Sequence, residues 1–219
     1  MYTMPIDELN TFKESLVTAY AEGRKPDKKK IISDVEDILI LAYLMGSKEA
    51  AYILGDEDEV DEDQMMDSVY AKVGGNAPTP ERPRWSRSTP IPGVPREQTE
   101  SAEELIIEES SEDRTPMNFA ERLEERDTVE EIMRVAETEA HRVFNDGEMD
   151  FAVGHGAKTK TWVTVGDDRV REEHQPLDMV TVPIDEYFVT WDGARAMRPG
   201  AFGIPELDIN CRCQLSFGR

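Results

Sequence analysis

Cysteine and basic side chains are scarce in this chain, and each shortage removes a class of function. The only two cysteines among 219 residues, Cys211 and Cys213, cannot supply a disulfide framework, because thiols so close in sequence rarely reach bridge geometry. Reduced thiols in a cytoplasm are the expectation. Lysine and arginine number 25 against 47 aspartates and glutamates, a formal charge of −22, which disfavours general DNA binding and adhesion to an anionic membrane. Long apolar runs are missing too: the stretch 38–45 falls far short of the ~20 residues a bilayer span requires. Asp7 and Glu8 behind Met1 leave no basic leader and no apolar signal core, so a soluble protein is expected. Phosphate-binding glycine loops, G-x-S-x-G and H-E-x-x-H are all absent, and no catalytic residue is assigned.

Hydrophobic residues make up 38% and charged residues 33%, a balance that predicts ordered ends around a middle with no core of its own. Ile6, Leu9, Phe12, Leu16, Val17 and Tyr20 recur at helical spacing until Gly23 and Pro26. A longer helix is predicted over about 29–54, with a wide apolar stripe from Ile31 through Met45. The pair reads as a helical hairpin with more apolar surface than it can hide, which either buries itself or meets a partner. The acidic run 56–67 reads as a solvated loop or helix start; an EF-hand is rejected because its glycine and closing glutamate are out of place.

Residues 1–73 form this helical N-terminal region, and 74–114 a linker. Its first part, dense in proline between Pro78 and Pro95, excludes regular helix or central strand, and 103–113 is acidic. Arg82, Arg84, Trp85 and Arg87 form a locally basic, aromatic patch there, either a solubilising spacer or a segment that orders against a partner. From about 115 the pattern predicts a compact α+β domain to residue 219. A long helix spans about 117–145, with a break allowed at Asp127 and Thr128 and a stop at Gly147. Short strands are predicted at 161–165, 180–182, 187–190 and 214–217.

The distinctive residues lie between 161 and 213. Asp168, Arg171 and His174, three apart, place a carboxylate, a guanidinium and an imidazole on one side of a turn; the expectation is that Asp168 pairs with Arg171 while His174 approaches Asn210-Cys211-Arg212-Cys213. Cysteines at i and i+2 of a strand point the same way, so with His174 they could offer three ligands to zinc, a fourth from His155 or Asp168 lying at no recognised spacing. The same residues could instead pack as small hydrophobes in a polar network, or form a cysteine-histidine catalytic pair, although nothing marks an oxyanion hole. The reading adopted is structural: Trp162, Asp168, Arg171, His174 and the N-C-R-C end pin a small domain together.

In their order and separations, Trp162, Asp168, Arg171, His174, Phe188, Gly193, Pro199, Gly200, Asn210, Cys211 and Cys213 resemble the phage minor head proteins, the Mu F-type head-morphogenesis family. The match covers about 117–217, and Glu137-Thr138-Glu139 resembles the step in the helix that precedes the family's terminal motif. The long helical region of many family members is compact here. The resemblance implies a non-enzymatic minor capsid protein of a tailed bacteriophage, made in the bacterial cytoplasm, associated with the portal protein and other head proteins inside the capsid, and assisting head assembly and DNA passage. It implies no cofactor. The alternatives are a thiol- or zinc-dependent hydrolase using His174 with Cys211 and Cys213, and a cytoplasmic adaptor binding a host protein through the N-terminal helices.

Overall fold

A computed structural model describes residues 4–62, 65, 69 and 119–219. The linker patch of Arg82, Arg84, Trp85 and Arg87, and the domain boundaries drawn at 73 and 114, lie outside these residues. Two helices come first, α1 (Ile6–Ala21) and α2 (Lys28–Leu54), then a short 3-10 turn (Glu57–Glu59) in the acidic run. Asp27 starts α2 by accepting from the Lys29 amide at 3.2 Å, and Gly55 ends it in the left-handed conformation, φ 75°.

The helical stretch predicted over 117–145 forms two pieces, α3 (Phe119–Glu124) and α4 (Val129–Gly154). The break falls where Asp127 and Thr128 allowed it, because Thr128 and Glu131 form a reciprocal capping box. Gly147 does not stop the helix. It lies where α4 crosses α2 and faces Gly46: a Cβ on Gly147 would stand 2.2 Å from the Tyr43 carbonyl oxygen, and one on Gly46 2.0 Å from that of Phe144. The bare backbones are what let the helices approach this closely.

α2 and α4 run in the same direction, with Lys28 beside Asp127 at one end and Glu59 beside His155 at the other. Tyr43 donates to Asp150 at 2.7 Å, and Ser47 to the Gly147 carbonyl at 3.2 Å. Leu9, Phe12 and Leu16 of α1, Ile31, Val35 and Leu39 of α2, and Ile132, Val143 and Phe144 of α4 share one core. The apolar surface that the hairpin could not hide is therefore covered by α4 of the same chain. Each fully buried aliphatic side chain of this kind stabilises by about 1.5–3 kcal/mol.

Beyond α4 a small antiparallel sheet has the order β2-β1-β5, from β1 (Thr159–Val163), β2 (Thr181–Pro183) and β5 (Gln214–Gly218). The fold is α+β, as the sequence predicted. β1 begins two residues earlier than expected and ends at Val163, since the Asp178 carboxylate takes the amide and hydroxyl of Thr164 into a loop. A separate hairpin pairs β3 (Phe188–Val189) with β4 (Arg195–Ala196), and a short α5 (Pro205–Asp208) leads to β5. Ala50, Ala51 and Phe151 carry the helix pair into a second core with Trp162, Leu177, Phe188 and Leu215. No helix among the described residues is long and apolar enough to cross a membrane.

Candidate functional site

The central strand β1 buries Lys160 and Trp162 on one face, and Trp162 is the floor on which the site is assembled. The loop after β1 is held by Asp167, which caps the Arg169 amide at 3.1 Å and accepts both Arg212 nitrogens at 2.8 Å. Arg212 in turn holds the Asp167 carboxyl below its ordinary value. The expected pairing of Asp168 with Arg171 is not formed: it is Asp167 that takes an arginine, and Arg171 donates to the Ile209 carbonyl. A three-residue spacing cannot resolve which of two adjacent aspartates takes an arginine when the segment is a turn rather than a helix. Asp168 is exposed.

His174 closes this loop, its amide on the Arg171 carbonyl at 3.0 Å. Its ring is buried against Trp162, edge-on at 5.3 Å between centroids, and against Phe202, stacked at 5.4 Å. From the opposite side come Cys211 and Cys213. Asn210 takes the left-handed conformation, φ 59°, and the Cys211 amide donates to the Asp208 carbonyl at 3.1 Å. The extended chain that follows turns both thiols inward and Arg212 outward, by the two-residue alternation of a strand. His174 Nδ1 lies 3.7 Å from each sulfur, and the three donor atoms fall within 4.8 Å of one another. The cysteines form no disulfide.

The three residues offered as metal ligands are thus brought together and buried. His155 is not with them; it stacks on Phe151 at the end of α4, with Glu59 nearby. Phe188 packs edge-on against Trp162 at 5.1 Å. Hydrogen bonding with Cys213, and then with His174, pulls the Cys211 thiol down against the opposing effect of burial; the same bond and burial push Cys213 up.

Sequence reasoning missed a second layer supplied by α4. His141 holds the Cys213 carbonyl at 2.7 Å, and burial lowers its basicity. Asn145 donates to the His141 carbonyl at 2.9 Å. Glu139 accepts Arg122 at 2.5 Å and Arg142 at 2.8 Å, while Asp146 accepts Arg142 at 2.8 Å and Arg198 as well. Glu148 is fully buried; burial lifts its carboxyl well above the ordinary range, opposed by the Leu215 amide and reinforced by Glu49. The signal was present, since His141, Asn145 and Glu148 recur at helical spacing beside the apolar stripe.

Residues 113–216 match the family described as phage Mu protein F like protein. The minor head protein GP7 of Bacillus phage SPP1 is 35% identical over 85 residues, 37% of this chain and 28% of that protein. The NAD(+)--arginine ADP-ribosyltransferase EFV of Enterococcus faecalis is 36% identical over 88 residues, 38% of this chain and 18% of that protein. The matches thus span less than a third of either curated relative. No solved structure matches. Residues 113–216, which hold the whole His174, Cys211 and Cys213 constellation, are thus similar to the phage Mu protein F like family.

Proposed function

We propose that this chain is a minor head protein of a tailed bacteriophage, located with the portal inside the capsid and assisting head assembly and the passage of DNA. The observation that carries this reading is the family match over 113–216, joined to the likeness to a protein named as a minor head protein. The net charge of −22 is compatible with a place beside packaged DNA, since such a surface repels a polyanion. The role is structural rather than enzymatic: the distinctive side chains are spent on tying loops and strands together, with Arg171 on a backbone carbonyl and Arg212 on Asp167. The relative named as a transferase is matched over 18% of its length, and its activity is not carried over to this chain.

The portal contact is assigned to the segment with Arg82, Arg84, Trp85 and Arg87, because arginine and tryptophan are enriched at interface hot spots and the chain is otherwise acidic. The apolar faces of α1 and α2 are occupied by α4, which leaves this patch as the better candidate. The test is a pull-down of the intact chain from phage-infected cells, with the portal protein as the expected band and the chain itself present in purified heads. Replacing the three arginines by glutamate and Trp85→Ala should abolish the portal band while the chain stays folded. Absence of the chain from heads overturns the role; an unchanged portal band in the variant overturns the assignment of the contact.

A further inference from the structure

We propose that His174 Nδ1 and the sulfurs of Cys211 and Cys213 bind one zinc ion, which staples the loop after β1 to the C-terminal strand. The separations fit the ion. Zinc bonds of about 2.3 Å to sulfur and about 2.0 Å to nitrogen give a tetrahedral sulfur-to-nitrogen edge of roughly 3.5 Å. Both edges here are 3.7 Å. Two thiolates also cancel the charge of a divalent zinc ion, so the loaded site is neutral and can stay buried where a bare ion could not. Without an ion, His174 Nδ1 has only two weak sulfur contacts, and its Nε2 has no hydrogen-bond partner, a poor return for burying an imidazole beneath Trp162 and Phe202.

The surroundings hold the donors in place independently of any metal. Arg171 ties the His174 loop to Ile209, Arg212 ties the cysteine strand to Asp167, and His141 fixes the Cys213 carbonyl. Such outer contacts are what orient ligands at metal sites. No fourth histidine, cysteine or carboxylate joins the three among the described residues. The fourth position is left to solvent: a cavity of about 10 Å³ lined by His174, Cys213, Asn210, Arg171 and Arg212 adjoins the donors and has room for about one water. Soft thiolates with imidazole favour zinc over magnesium or calcium.

The test uses the full chain purified under reducing conditions without added metal. Elemental analysis should find a single equivalent of zinc, and exchange into cobalt(II) should give a thiolate-to-cobalt charge-transfer band with tetrahedral visible absorption. Chelation should lower the melting temperature. Cys211→Ser with Cys213→Ser should abolish the cobalt band, His174→Ala should weaken and shift it, and His155→Ala should leave it unchanged. A folded wild-type chain that takes up neither zinc nor cobalt overturns the proposal without recourse to any variant. So does a band that survives in the double cysteine variant.

Discussion

Gly46 of α2 and Gly147 of α4 face each other across a helix crossing so close that a Cβ on either would meet the partner's backbone at 2.0–2.2 Å. The crossing sets more than the helical core. It fixes α4, whose His141 reaches the Cys213 carbonyl, relative to α2, whose Ala50 and Ala51 pack under the sheet. Helix spacing and the geometry around His174 are thereby linked.

Gly147→Ala and Gly46→Ala are each expected to destabilise the full chain by at least the roughly 1–3 kcal/mol typical of overpacking, because a backbone carbonyl cannot rotate away from the new methyl. The gain of about 1 kcal/mol in helix propensity does not offset this. Gly154→Ala is the control, as nothing lies within 4 Å of its Cβ position. Urea denaturation should show the first two variants shifted downward and the third unchanged or slightly stabilised. Equal midpoints for all three would show that the crossing relaxes freely.

The buried carboxylate Glu139 should govern acid stability. Burial raises its pKa, but Arg142 and Arg122 together outweigh burial and hold it below its ordinary value of 4.5. A depressed carboxylate stabilises the fold above its unfolded value, and that contribution is lost as pH falls through the folded value. Glu139→Gln should therefore cost about 3 kcal/mol near neutral pH, the low end for a broken buried pair because both arginines remain partly in water. The difference from wild type should close in acid. A pH-independent difference would assign the loss to packing.

Much of this architecture was legible in residue patterns, and what was not has identifiable causes. The break before α4 could be read at Asp127 and Thr128, because a helix cap is local chemistry. Gly147 was misread as a stop because a glycine that ends a helix and one that admits a neighbour look alike; the continuation of the stripe to Phe151 and Ala152 was the distinguishing sign. Residues 174, 211 and 213 could be grouped in sequence by chemical type alone. That Asp167 rather than Asp168 would hold Arg212 could not, since it depends on a turn in which neighbouring side chains diverge. His141 escaped notice because a polar residue beside an apolar helix stripe acquires meaning only once β5 is laid against it.

Asn210 begins the turn that delivers both cysteines, with φ at 59°. Asparagine tolerates this conformation, glycine adopts it freely, and a β-branched residue is strained there by about 1–2 kcal/mol. Asn210→Gly should therefore keep near wild-type stability, whereas Asn210→Val should lose about that amount, both read from thermal denaturation. If Gly proves as damaging as Val, the side-chain amide rather than the backbone angle is what the position requires.

Lys160 is the remaining buried charge of the sheet, on the central strand with Nζ 5.4 Å from the Phe188 ring centroid and 3.8 Å from Met197 Sδ. Burial lowers its pKa from 10.5 to about 8; Asp185 opposes the shift and Arg198 adds to it. Below about 8 both folded and unfolded chains carry the proton, and the full cost of burying the ammonium is present. Between about 8 and 10.5 the unfolded chain binds more protons than the folded one, so stability rises with pH across that window and levels off above it. The shift corresponds to roughly 3 kcal/mol. Lys160→Met keeps the aliphatic length and removes the charge, giving up a cation-π contact worth about 0.5–2 kcal/mol. The variant should be more stable than wild type at neutral pH by a net of roughly 1–2 kcal/mol, after subtracting that contact from the burial cost. Its advantage should disappear above the ordinary lysine value. Urea midpoints measured for both proteins at the two ends of the window decide the matter: a constant offset would mean that Lys160 stays protonated by drawing in water, and a destabilised variant at neutral pH would mean that Phe188 and Asp185 hold the ammonium more strongly than burial opposes it.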